Sequence, residues 1–173
     1  RRGAAALLLA LLAVVDLAIR GRHSFLGADE PRYARIAEEM MRRGDPVVPT
    51  YRGSPWLEKP PLLYWLAGMS YRVFGVSEFA ARVPSVLATL GFLAVFYAVL
   101  HPVYGRRLAF FAVLTLSTCG MFVGYAGAAT TDILIADTVG AGLLLLWRYL
   151  SDESPPPAWW LWAAAALFGL GCL

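Results

Sequence analysis

Five apolar runs leave this chain few ways to fold. They cover residues 4–19, 83–100, 108–129, 133–147 and 158–173. A membrane-spanning helix needs roughly 20 mostly apolar residues, and several runs reach that length once flanking small residues are counted. The chain is 59% hydrophobic, where an ordinary soluble domain has about half. We expect an all-α, polytopic transmembrane helical bundle, with spans near residues 4–20, 80–101, 107–126, 132–148 and 158–173. The sequence opens on Arg1-Arg2 and stops inside an apolar run, so we expect it to be part of a longer protein. The first run also has the basic start and short apolar core of a signal peptide. The other runs imply a membrane protein however the first is processed.

A polar island interrupts the pattern at residues 28–61. Asp29 before Glu30-Pro31 is a helix-start signal. Tyr33, Ile36, Ala37, Met40 and Met41 then recur at helical spacing and form one apolar face. Gly44-Asp45-Pro46 ends that helix. Such a helix suits the membrane interface with its apolar face down. Residues 47–56, with two prolines and one glycine, read as loop. Pro60-Pro61 opens a second helix over 62–74. It is apolar nearly all round, too short to cross comfortably, and rich in interface-seeking aromatics. The island, near residues 29–75, is expected to carry two interfacial helices.

Charge counting leaves the orientation open. The island holds more arginine than the later turns, which alone would place it in the cytoplasm. If 62–74 does not cross, Arg1-Arg2, Arg106-Arg107 and Arg148 share one side, and the island and Asp132 share the other. The net charge of +3 is scattered, so there is no nucleic-acid-binding stripe. Cys119 and Cys172 lie in apolar segments and read as small core residues. No P-loop, dinucleotide fingerprint or Ser/Cys nucleophile motif is present. His23 and His101 stand apart from any metal-ligand spacing.

Two carboxylates far apart in sequence stand out. Asp29 follows the first run, and Asp132 lies in the turn between the third and fourth. Spacing alone reads both first as helix N-caps, a role compatible with acids facing one aqueous pocket, where a carboxylate can take a proton from an attacking hydroxyl. Lys59 is the only lysine. At a helix start it suits a phosphate, and it also suits a snorkelling pair with Glu58. Asp137, five residues past Asp132, points well away from it and reads as a partner for another helix. Asp16 and Arg20 have the spacing of a helical ladder pair. Intramembrane Asp16 and Asp137 also keep an ion-coupled transporter in view, although no internal repeat accompanies them. A structural scaffold would leave the island without a role.

The ordered set Asp29-Glu30-Pro31-Arg32-Tyr33-Ala34, Glu39-Met40, Gly44-Asp45, Val48-Pro49, Glu58-Lys59-Pro60-Pro61 and Tyr64-Trp65 resembles the first periplasmic region of a family of glycosyltransferases. These are the GT-C-fold enzymes of the aminoarabinose transferase and protein O-mannosyltransferase group, which use polyprenyl-phosphate sugar donors. Arg82-Val83-Pro84-Ser85 and Thr130-Thr131-Asp132-Ile133-Leu134 extend the likeness, which runs from about Phe25 to Leu146. The resemblance implies a multi-pass protein of the bacterial inner membrane with the island facing the periplasm. It implies that Asp29 and Asp132 are catalytic carboxylates and that Lys59 meets the lipid phosphate. It also implies that Glu30, Arg32 and Tyr33 bind substrate and that Glu58 helps hold a divalent metal ion in some members. The implied reaction inverts the sugar's anomeric centre and passes it to a lipid, glycan or protein acceptor. Family members are several times longer, so this chain alone is expected to be inactive.

Overall fold

The structure, a computed structural model, describes residues 24–25, 27–151 and 156–173. The first apolar run, with Asp16 and Arg20, lies outside the described residues. Six helices and one small hairpin follow in chain order.

Helix α1, Asp29–Arg43, starts where the island's carboxylates predict. Asp29 and Glu30 sit in its first turn, and Arg42 and Arg43 in its last. Both placements complement the helix dipole. Pro31 is tolerated because first-turn N–H groups have no intrahelical partner. Gly44 takes the left-handed conformation (φ 66°) and donates its N–H to the carbonyls of Met40 and Met41, a stop that favours glycine.

The loop after α1 contains a hairpin that the proline count obscured. Strands β1 (Thr50–Tyr51) and β2 (Ser54–Pro55) pair antiparallel. Arg52 (φ 53°) and Gly53 (φ 79°) form the two-residue turn, in which two positive φ angles match the twist of the strands. Pro55 closes the short pairing, and Trp56 N–H donates to the Pro49 carbonyl at 2.8 Å.

Helix α2, Leu62–Phe74, is about 20 Å long at 1.5 Å per residue, shorter than a membrane core. Tyr33, Ile36, Ala37 and Met40 of α1 form one buried cluster with Leu63, Tyr64, Ala67 and Tyr71 of α2 and with Ala80 and Ala81 beyond it. This corrects the expected placement of α1. Its apolar face is covered by protein rather than laid on lipid. On α2 and the turn after it, Met69, Val73, Phe74 and Val76 leave apolar surface open.

Helix α3, Glu78–Thr118, starts from Ser77, whose hydroxyl accepts the Ala80 N–H at 3.2 Å. It is two helices across a kink at Gly105 (φ 80°, ψ 164°), just past Pro102 and beside Arg106-Arg107. The second arm stops at Thr118, and Cys119 is extended (ψ 121°) before α4, Gly120–Ala126. The expected third span is therefore broken at Cys119. Thr118 hydroxyl bonds to the Leu114 and Thr115 carbonyls, a local competition that weakens a helix end. Helix α5, Thr131–Ser151, and helix α6, Trp159–Cys172, complete the bundle. Among the described residues, α3 and α5 are long and apolar enough to cross a membrane. The chain has the fold of a polytopic membrane protein.

Helix α6 packs along α5, α5 along α3, and α2 against both α1 and α3. Asp137 is buried on α5 and accepts the Thr89 hydroxyl of α3 at 2.7 Å, so it bonds to a neighbouring helix and does not enter the island. Cys119 and Cys172 are free and exposed, which corrects their reading as core residues.

Candidate active site

Three separate pieces of backbone bring the charged residues together. The first turn of α1 supplies Asp29, Glu30, Arg32 and Tyr33. The loop before α2 supplies Glu58 and Lys59. The first turn of α5 supplies Asp132. Neither carboxylate is an N-cap. Ala28 is the cap position of α1 and makes no side-chain cap bond. Asp29 instead accepts from Arg32 Nη1 at 3.1 Å. Asp132 lies one residue inside α5 and pairs with Lys59 Nζ at 3.6 Å. Asp29 and Asp132 are about three-fifths exposed, so both can meet a ligand. Exposed pairs of this kind are worth about 0–1 kcal/mol and exchange partners readily.

Tyr33 links the three pieces. Its ring is buried against Tyr64, with centroids 6.1 Å apart. Burial pushes its phenol above the ordinary value, and the Asp29 carboxylate pushes it further. Asp132 acts the same way, while Lys59 and Arg32 pull back. One phenol therefore feels two carboxylates and two cations from all three segments. It remains a neutral O–H donor at neutral pH. Arg32 also stacks over Trp56, its guanidinium carbon 5.3 Å from the ring centroid, which fixes the arginine beside Asp29.

Lys59 has fewer backbone donors beside it than the helix start suggested. Pro60 and Pro61 have no N–H, so a phosphate here would rest on the ammonium itself more than on these two positions. The loop carrying Lys59 is fastened further back. Glu39 accepts the backbone N–H groups of Arg52 and Gly53, the Thr50 hydroxyl and Arg35 Nε. Burial pushes the Glu39 carboxyl up, but these bonds outweigh it and hold it below the usual carboxylate value. Asp45 Oδ1 accepts from Val47 and Val48 N–H, and Trp65 Nε1 donates to the Pro46 carbonyl at 2.7 Å.

Glu30 is placed differently from the substrate-facing role the sequence suggested. It is 3% exposed. Arg82 Nε and Nη2 each reach one of its oxygens at 3.0 Å, and the Ala129 N–H donates to Oε1 at 2.8 Å. Arg82 is itself 2% exposed. Removing one partner of such a pair costs about 3–5 kcal/mol. Arg82 is the site residue that sequence reasoning left without a role. An arginine entering an apolar run is costly unless paired, and that cost was the signal pointing to a carboxylate partner.

Glu58 is exposed. Among the described residues, no group of three or more His, Cys, Asp or Glu side chains converges to hold a metal. A divalent ion needs several oxygen ligands, and these residues do not provide such a set. The metal role for Glu58 is not supported by this geometry.

Residues 58–173 match the family model described as dolichyl-phosphate-mannose-protein mannosyltransferase. The chain is 31% identical over 173 residues to undecaprenyl phosphate-alpha-4-amino-4-deoxy-L-arabinose arabinosyl transferase 2 of Pseudomonas fluorescens, covering 99% of this chain and 29% of that protein. It is 30% identical to the corresponding transferase of Pseudomonas aeruginosa, covering 99% of this chain and 31% of that protein. The structure superposes on crystalline ArnT from Cupriavidus metallidurans bound to undecaprenyl phosphate with a TM-score of 0.86 and 27% identity, covering 96% of this chain and 31% of that one. The apo form gives a TM-score of 0.83 at 26% identity, covering 96% and 32%. The chain thus spans about a third of the length of these relatives.

Proposed function

Because the chain belongs to the dolichyl-phosphate-mannose-protein mannosyltransferase family, we propose that it serves a membrane glycosyltransferase that takes its sugar from a polyprenyl-phosphate donor. The observation that carries this reading is the meeting of Asp29, Arg32, Lys59 and Asp132 around the Tyr33 phenol. Two acids and two cations at one membrane-edge site suit a reaction in which a phosphate leaves and a hydroxyl attacks. The similarity to a protein crystallised with undecaprenyl phosphate supports the same donor class.

In this reading Lys59 exchanges Asp132 for the donor phosphate. The acceptor oxygen attacks the anomeric carbon from the face opposite the phosphate. The new C–O bond forms as the bond to the phosphate oxygen breaks, and the electron pair leaves on the polyprenyl phosphate. Lys59 stabilises that growing charge. Asp29, oriented by Arg32, takes the acceptor proton. An acceptor that is already an anionic phosphate needs no base, and Asp29 then orients it. The configuration at the anomeric carbon inverts. Asp132 lines the same pocket, and Tyr33 offers its O–H to the sugar or the phosphate. The site faces the periplasm at the surface of the bacterial inner membrane, with α2 lying at the interface and α1 packed on it.

The test uses the full reading frame in membranes, with a polyprenyl-phosphate sugar donor and lipid, glycan and protein acceptors. Asp29→Asn and Lys59→Ala are expected to abolish transfer while the protein still folds. Parent-level transfer by both variants would overturn the assignment. Residues 1–173 alone are expected to be inactive, and transfer by that piece would show that the site needs nothing beyond it.

A further inference from the structure

Glu30 joins stretches of chain that are distant in sequence. One carboxylate binds Arg82 at the start of α3 through both oxygens and binds the Ala129 N–H in the α4–α5 turn. Arg82 also donates Nη2 to the Ser24 carbonyl at 3.2 Å and lies 5.3 Å over the Phe25 ring. The two ends of this tie matter. Glu30 is the neighbour of Asp29, and Ala129 stands three residues before Asp132.

We infer that Glu30 and Arg82 are positioning residues that hold the Asp29 and Asp132 carboxylates in register across the transfer site. The inference rests on the glycosyl-transfer reading of that site. A well-packed apolar pair would fill the same space with equal or better stability, but it would not fix the α4–α5 turn to α1 by a directional bond. A catalytic geometry loses about a hundredfold for a displacement near 1 Å, so such a bond has a use that packing alone does not supply. Lys59 meets Asp132 at 3.6 Å but makes no bond within the tie, and its loop is fastened by Glu39, Asp45 and Trp65. The donor-facing ammonium and the carboxylate register are therefore held by different hydrogen bonds.

The experiment uses the full-length protein and separates those two parts. Glu30→Asp shortens the carboxylate by one methylene, so it cannot reach Arg82 and Ala129 together. Arg82→Lys keeps the charge but loses the planar fork. Both are expected to lower kcat at least tenfold while the Kd for undecaprenyl phosphate stays within twofold. The double variant Glu30→Met/Arg82→Met carries the test if the single variants fold poorly. It is expected to melt closer to the parent temperature than either single Met variant, short of it by the lost Ala129 N–H bond, and to keep the low kcat. Recovery of kcat together with stability in the double variant would overturn the inference, because the pair would then be structural only. Weakened undecaprenyl phosphate binding with unchanged kcat would also overturn it, by making Glu30 a donor contact. Parent-level transfer by Asp29→Asn would overturn the underlying reading, whatever the Glu30 variants do.

Discussion

Glu39 is the residue whose removal should loosen the loop before Lys59 most directly. Its carboxylate holds the tip of the β1–β2 hairpin through the Arg52 and Gly53 N–H groups and the Thr50 hydroxyl, at 3.1–3.3 Å. It also pairs with Arg35 at 3.0 Å, on an exposed surface where that pair adds little. Glu39→Ala deletes these bonds and exposes the two backbone N–H groups to water, which replaces part of what is lost. A hydrogen bond to a charged acceptor is worth about 1.5–3 kcal/mol net before such replacement, so we expect the hairpin to lose about 1–2 kcal/mol. At about 1.4 kcal/mol per factor of ten, that raises the open population roughly 5- to 30-fold. Trypsin reads that population at Arg52, which is exposed at the turn, provided reclosing outpaces cleavage. The assay is the initial rate of cleavage after Arg52 in the full-length protein, with cleavage at Arg148 as internal reference. Undecaprenyl phosphate binding should weaken in parallel, because the same loop carries Lys59. Equal Arg52 cleavage in Glu39→Ala and parent would refute the claim that this carboxylate closes the hairpin.

The same carboxylates set a pH dependence. Glu39 and Asp45 have folded-state values held below their ordinary 4.5 and 3.8, so their stabilising contribution is present above those values and is lost as pH falls through the folded ones. Hydrogen exchange at the Arg52, Gly53, Val47 and Val48 amides, corrected for intrinsic rate, should be flat from pH 7 to about 5 and rise only in stronger acid. A rise between pH 7 and 6 would contradict it. A Cβ at Gly142 would meet three ring atoms of Phe168 at 2.9–3.1 Å, so Gly142→Ala should loosen α5 from α6 by about 1–3 kcal/mol. Thermal melting in detergent should show the loss, and Phe168→Leu should restore most of it.

The helices were largely legible because their signals are local. Asp29 with Pro31, the 3–4 spacing from Tyr33 to Met40, and Gly44 fix α1 without reference to anything else. Pro102 with Arg106-Arg107 marked the turn between spans, although glycine at Gly105 is what lets the backbone reverse there. The hairpin was missed because its signal, Arg52-Gly53, is weak beside Pro49 and Pro55. The break at Cys119 was missed because the run around it is uniformly apolar.

Sequence alone determined a bundle of membrane-spanning helices interrupted by one polar island, because apolar length and helical period are properties of neighbouring residues. It also singled out Asp29, Lys59 and Asp132 as chemically notable. Tertiary structure decided what each of them touches. Whether α1 rests on lipid or on α2 depends on which surface covers Ile36 and Ala37, and contact across 30 residues of chain settled that. Glu30 and Arg82 are 52 residues apart, and Ala129 is 99 residues from Glu30. No periodicity couples positions so distant. Only burial of all three in one place, where an unpaired charge would be costly, makes them a single unit.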